Sequence, residues 1–205
     1  MGPISADVQR MLRQASEKTA TQPFVCEVFE DPQWNSFVEL WAPRIYTFIR
    51  EALGSYATEP RPTIIPLDAG FHIAGANASF NIVTGQIQLT PAMAGNPGVI
   101  LEKLTHEMVH GSLAAFPEGD PFYEEGMAAD YGTWILAHAP VWEPYRDMMI
   151  KAAADNIRNR RDRAMATDSD YDRKRWAGGV YAMTAFGPHL ITRLRQKKEC
   201  GDLTW

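Results

Sequence analysis

The stretch ASFNIVTGQIQLT, residues 78–90, constrains the fold of this chain more than any other. Its apolar residues alternate with polar ones, and Thr84–Gly85 supplies turn chemistry between the two runs. A two-residue turn there places Val83 opposite Gln86, Ile82 opposite Ile87 and Phe80 opposite Leu89. Phe80, Ile82, Ile87 and Leu89 then share one face of a hairpin, and Ser79, Asn81, Gln86, Gln88 and Thr90 share the other. One strand of such a hairpin can form a sheet edge, where an extended peptide can add itself as a further strand. From about residue 98 the spacing of apolar residues becomes helical and stays so. Helices are expected over about 98–115, 121–138, 141–164 and 171–197, interrupted by Pro117, Pro140 and the polar stretch TDSDYD at 167–172. A β-containing first part followed by a helical second part predicts an α+β fold.

The remaining segments fit that division. Ser5 can cap a helix over about 6–18, and FVCEVF at 24–29 alternates like a short strand. A helix over about 33–53 is marked by Trp34, Phe37, Val38, Trp41, Ile45, Phe48 and Ile49, with Pro43 expected to kink or divide it. TIIPL at 63–67 reads as a strand, with Pro66 at its end or on an edge. The chain has 205 residues, 45% of them hydrophobic, enough for one ordinary core, which a cleft could split into two lobes. No linker separates independent units, so 1–205 reads as a single domain. Its parts are an N-terminal helical segment (1–55), a sheet with one functional helix (60–116) and a helical lobe (117–205).

A net charge of -5 argues against nucleic acid as the main partner. No apolar run is long enough to cross a bilayer, so no membrane association is expected. Asp7, Arg10 and Arg13 interrupt the apolar stretch a signal peptide would need, so the expected compartment is the cytoplasm unless a leader has been removed. Cys26 and Cys200 fit no CxxC metal pattern; one bridge between them is possible, and free thiols are the expectation.

The functional signal is LTHEMVHGS at 104–112. Residues four apart on a helix share a face, with Cβ atoms about 5–6 Å apart. His106 and His110 can therefore aim nitrogens at one ion, while Glu107, one residue round, can reach a water beside it. The pattern is HExxH, the zincin signature. Val99, Ile100, Leu101, Leu104 and Val109 make a partly buried helix credible, and buried imidazoles and carboxylates need partners. A catalytic zinc site takes three protein ligands and keeps one position for water. GSLAAF after His110 lacks the glycine and third histidine of the longer HExxHxxGxxH motif, so the third ligand lies further on.

Glu118, Asp120, Glu124, Glu125 and Asp130 are the available acids. Pro117–Glu118–Gly119 reads as a turn, with Asp120 as N-cap and Pro121 as first residue of a returning helix. At 1.5 Å per residue, that helix brings Glu124 or Glu125 back to about the level of His110. Glu125 is preferred because Ala128, Ala129 and Gly132 on its face allow close helix approach, whereas Glu124 shares its face with Tyr131 and Ile135.

HExxH followed by EEGMAADY resembles the gluzincin metallopeptidases, among them the M1-type aminopeptidases and the minigluzincins. Their metal glutamate commonly sits in an E-G-x-A setting, matched here by Glu125-Gly126-Met127-Ala128. The resemblance covers about residues 60–195, its strong motifs lying within 106–132. It implies a zincin-like fold, with a small β-sheet upper lobe whose edge strand borders a cleft, followed by the zinc helix and the glutamate helix. It also implies one Zn2+ ion held by His106, His110 and Glu125, with Glu107 as general base and a peptide or protein as substrate. Many relatives carry a downstream tyrosine or histidine that stabilises the oxyanion. Here Trp176 stands where that tyrosine is looked for, and Tyr181 and His189 are the substitutes. That departure keeps open the alternative of a latent or inactive zincin-fold binding protein that retains the metal.

Other chemistry-bearing residues read as structural. His72 reads as a surface or hydrogen-bonded histidine, and His138 suits a helix C-terminus. The basic runs IRNRRDR (157–163) and RKR (173–175) are interleaved with Asp162, Asp168, Asp170 and Asp172, which reads as a solvated face.

Overall fold

A computed structural model describes residues 23–53, 58–67, 77–112, 132–138, 142, 144–166 and 168–185 of the chain. Strands β1 (Val25–Cys26), β2 (Thr63–Pro66), β3 (Ala78–Asn81) and β4 (Gln86–Leu89) form one mixed sheet in the order β1-β2-β4-β3. β2 runs parallel to both β1 and β4, and β3 runs antiparallel to β4, so β3 is one edge. Helix α1 (Pro32–Leu53) connects β1 to β2. After the sheet come α2 (Pro97–Ser112), α3 (Gly132–Ala137), α4 (Arg146–Ala166) and α5 (Asp170–Ala185). The α+β expectation holds, and among the described residues no helix is long and apolar enough to cross a membrane.

The hairpin exists, but its register is displaced by two residues from the expected one. Phe80 pairs with Ile87 and Asn81 with Gln86, so Ile82–Gly85 form a four-residue turn. The cause is Asn81. Its Oδ1 accepts from Val83 N and Thr84 N, both at 3.0 Å, and its carbonyl accepts from Gly85 N at 2.7 Å. This asparagine turn outcompetes the tighter loop, and Gly85 closes it at φ 72°, a left-handed conformation that glycine adopts without steric cost. A shift of two keeps every side chain on its expected face. Ile82 leaves the strand and becomes exposed instead of packing opposite Ile87.

β1 is shorter than its alternating sequence suggests. Past Cys26 the chain turns towards α1, and Asn35 Oδ1 takes the amides of Val28 and Phe29 at 3.2 and 2.9 Å while its Nδ2 donates to Phe29 O at 2.8 Å. Pro66 ends β2, as expected. Pro43 does not divide α1, which runs unbroken past it. A continuous apolar stripe of Phe37, Val38, Trp41, Ile45, Phe48 and Ile49 holds the helix against the core on both sides of the proline. The helices expected near 141–164 and 171–197 are described as α4 and α5, and that near 121–138 only as α3 at its end. The expected helix at 6–18 lies outside the described residues.

α2 is the hub of the fold: α1, α3, α4 and β3 all pack on it. Beside it stands an aromatic cluster in which Phe37 meets Tyr145 edge-on at 5.4 Å and Phe48 meets Trp142 edge-on at 5.6 Å. Burying side chains such as Phe37 and Phe48 contributes roughly 1.5–3 kcal/mol each. Trp142 Nε1 donates to Leu136 O at 2.7 Å, so the buried indole is also satisfied and pins the end of α3.

Candidate metal-binding helix

α2 starts where Asn96 caps it. Asn96 Oδ1 accepts from Val99 N at 3.3 Å, Asn96 O accepts from Ile100 N at 3.1 Å, and Pro97 occupies the first helical position. Ile100, Leu101, Leu104, Met108 and Val109 are fully buried on more than one side of the helix, the pattern of a helix enclosed by protein. Thr105, also buried, donates its hydroxyl to Leu101 O at 2.8 Å.

The HExxH residues lie in the last two turns of this helix. His106 and Glu107 are 3% and 5% exposed, whereas His110 is partly exposed. The two imidazole rings stand 5.2 Å apart between centres, with their planes at 74°. Two imidazoles that share a tetrahedral ion at the usual ~2.0–2.1 Å nitrogen distance have ring centres about 5 Å apart. The pair therefore fits two positions of a zinc donor set. A buried carboxylate one residue round from them can serve as a base on a water.

Among the described residues, no group of three or more His, Cys, Asp or Glu is arranged to hold a metal. The acids from which a third ligand was expected, Glu118, Asp120, Glu124, Glu125 and Asp130, lie outside the described residues. So do His72, His189 and Cys200. Tyr181 is on α5 and 47% exposed, and Trp176 is half-buried on the same helix.

Two features of the site escaped sequence reasoning. Glu102, one turn before His106 and 2% exposed, accepts from Asn156 Nδ2 of α4 at 3.3 Å and lies 3.0 Å from Lys103 Nζ. Its only signal is an acid within the apolar run GVILEKL, and its partner is 54 residues away. At the other end, Thr58 N donates to Gly111 O at 3.3 Å, satisfying a carbonyl of the last turn just after His110.

The other polar candidates behave as structural groups. His138 Nδ1 lies 2.8 Å from Trp134 O, which requires the proton on Nδ1, and its ring stands edge-on to Trp134 at 4.5 Å. The basic runs are matched locally, by Arg158–Asp155 at 3.0 Å, Arg161–Asp162 at 2.8 Å and Lys174–Asp170 at 2.9 Å. Arg175 departs from this solvated face: it is buried against Tyr171, whose hydroxyl accepts from it. Cys26 is a free, buried thiol, and burial pushes its pKa up to about 11.

Compared with known proteins, the chain matches no family model, no curated protein and no solved structure at a significant level.

Proposed function

We propose that this chain is a zinc-dependent metallopeptidase of the gluzincin type. One observation carries the reading: two imidazoles one helical turn apart, with ring centres 5.2 Å apart, beside a buried glutamate on the helix at the hub of the fold. His106 and His110 hold a single Zn2+ ion, and Glu125, assigned from the sequence, completes the set. When bound, the ion lowers the pKa of a water towards 7 and polarises the scissile carbonyl. Glu107 takes the proton of the attacking water and delivers it to the leaving amine. Its burial lowers the local dielectric and strengthens its charge interactions. β3, an edge of the sheet that packs on α2, supports the reading because an extended substrate can add to such an edge.

The test combines metal analysis with cleavage. Wild type should carry one zinc per chain and digest casein, losing both on chelation. Glu107→Gln should keep the zinc and lose turnover by about 10²–10⁴-fold. Glu125→Ala should lose the zinc, and Glu124→Ala should not. Zinc without cleavage in the wild type would favour the binding-protein alternative. A protein that refuses zinc would refute the reading outright.

A further inference from the structure

The turn between β3 and β4 runs against the usual chemistry of turns. Its first two residues, Ile82 and Val83, are β-branched and apolar where Pro, Asp, Asn or Ser is favoured. They leave 46% and 86% of their surface exposed. The turn is nonetheless firmly held. Thr58 Oγ1 donates to Ile82 O at 2.7 Å, Arg61 Nε to Thr84 O at 2.9 Å and Arg61 N to Gly85 O at 2.7 Å, in addition to the two amides taken by Asn81. An apolar tip locked in place is preorganised to bury itself against something.

Thr58 indicates what. The same residue that binds the Ile82 carbonyl through its hydroxyl binds the Gly111 carbonyl through its amide at 3.3 Å, and Gly111 follows His110. Two hydrogen bonds and the width of one residue join the Ile82 carbonyl to the Gly111 carbonyl at the end of the HExxH helix, a path of at most about 10 Å. An extended chain advances about 3.3 Å per residue, so that span equals about three residues of a bound peptide.

We propose that Ile82 and Val83 are specificity-determining residues that contact a bulky apolar side chain of an extended peptide substrate, within a few residues of the cleaved bond. The proposal rests on the metallopeptidase reading and is tested so that the two can fail separately. Quenched fluorescent peptides on one scaffold, with Phe, Leu or Ser at each position flanking the bond, are assayed with wild type, Ile82→Ser, Val83→Ser and the control Met165→Ser. Met165 is 80% exposed on α4, so its replacement should act like wild type. Zinc content is measured on every protein.

Wild type should prefer Phe or Leu at one flanking position. Both hairpin variants should lose about tenfold in kcat/KM on that peptide, mainly through KM, the size of one partly buried aliphatic side chain. They should lose less than about twofold on the Ser peptide and keep their zinc. If wild type binds zinc and cleaves, but the hairpin variants keep its selectivity, the specificity proposal is overturned and the peptidase reading stands. If the variants alter only self-association in sedimentation, the tip is a contact between copies and the proposal is likewise overturned. If wild type neither binds zinc nor cleaves, both fall.

Discussion

Replacing Gly85 by alanine should cost far more than replacing Gly95, although both glycines have positive φ, 72° and 85°. An alanine in the left-handed region costs about 1–2 kcal/mol in strain, and restriction of the unfolded chain returns about 0.4–1 kcal/mol. At Gly95 nothing lies within 4 Å of the added Cβ, so Gly95→Ala should lose only about 1 kcal/mol. At Gly85 the Cβ would overlap the Glu59 carbonyl oxygen and lie 3.2 Å from its carbon and 3.4 Å from Arg61 N, all backbone atoms that cannot rotate away. The 58–61 segment must move, and the bonds from Thr58 Oγ1, Arg61 Nε and Arg61 N go with it. At about 0.5–1.5 kcal/mol per hydrogen bond, the total loss should be about 3–4 kcal/mol. Urea unfolding of both variants beside wild type measures the difference, read as a change in midpoint at constant slope. Gly95→Asn should sit near wild type, because asparagine tolerates this conformation. Equal losses for Gly85→Ala and Gly95→Ala, within about 0.5 kcal/mol, would refute the close packing of the turn on Glu59.

Two further expectations follow from the N-terminal end of the described chain. The Cys26 thiol, pushed up to about 11 by burial, should resist iodoacetamide at pH 8 in the native protein and react on unfolding. Because its folded pKa is raised, its contribution to stability is complete below the unfolded value of about 8.5 and should fall as the pH rises towards about 11. A pH series of urea midpoints on wild type and Cys26→Ala should diverge only across that window. Asn35→Ala removes three hydrogen bonds to Val28 and Phe29 and should cost about 2–4 kcal/mol. Asn35→Asp keeps both accepted bonds but sets a carboxylate oxygen against the Phe29 carbonyl in place of the donating Nδ2, and should recover less than half of that in the same unfolding assay.

What could be read from the sequence followed the range over which each signal acts. The expected end of α2 near 115 lies outside the described residues, but its start, expected near 98 and found at Pro97, was legible because its cap and apolar run act within two turns. So was the face of every strand residue in the hairpin, since period-two alternation survives a register shift of two. The register itself was not, because a single side chain, Asn81, chose between loops of similar sequence. The parallel pairings of β2 were illegible for a different reason: they join segments whose approach depends on where α1 docks. The Glu102–Asn156 bond depends in the same way on the packing of α2 on α4. At the candidate metal site the pair of imidazoles was readable because helix geometry alone brings them together. A third ligand from another helix depends on a turn and a packing distance, and Glu125 therefore stands on the sequence argument.

The order of strands has a bearing on how the molecule assembles. β3 and β4 are joined by four residues, so their ladder can close in microseconds without help. Val25 meets Thr63 only across the whole of α1, a loop whose closure entropy must be met by contacts made elsewhere first. Sheet growth should therefore begin at the hairpin and end at β1. Substitutions in the turn should slow refolding, whereas those at Val25 or Cys26 should chiefly speed unfolding. The last strand to join is only two residues long, and its amides should be the first of the sheet to exchange with solvent.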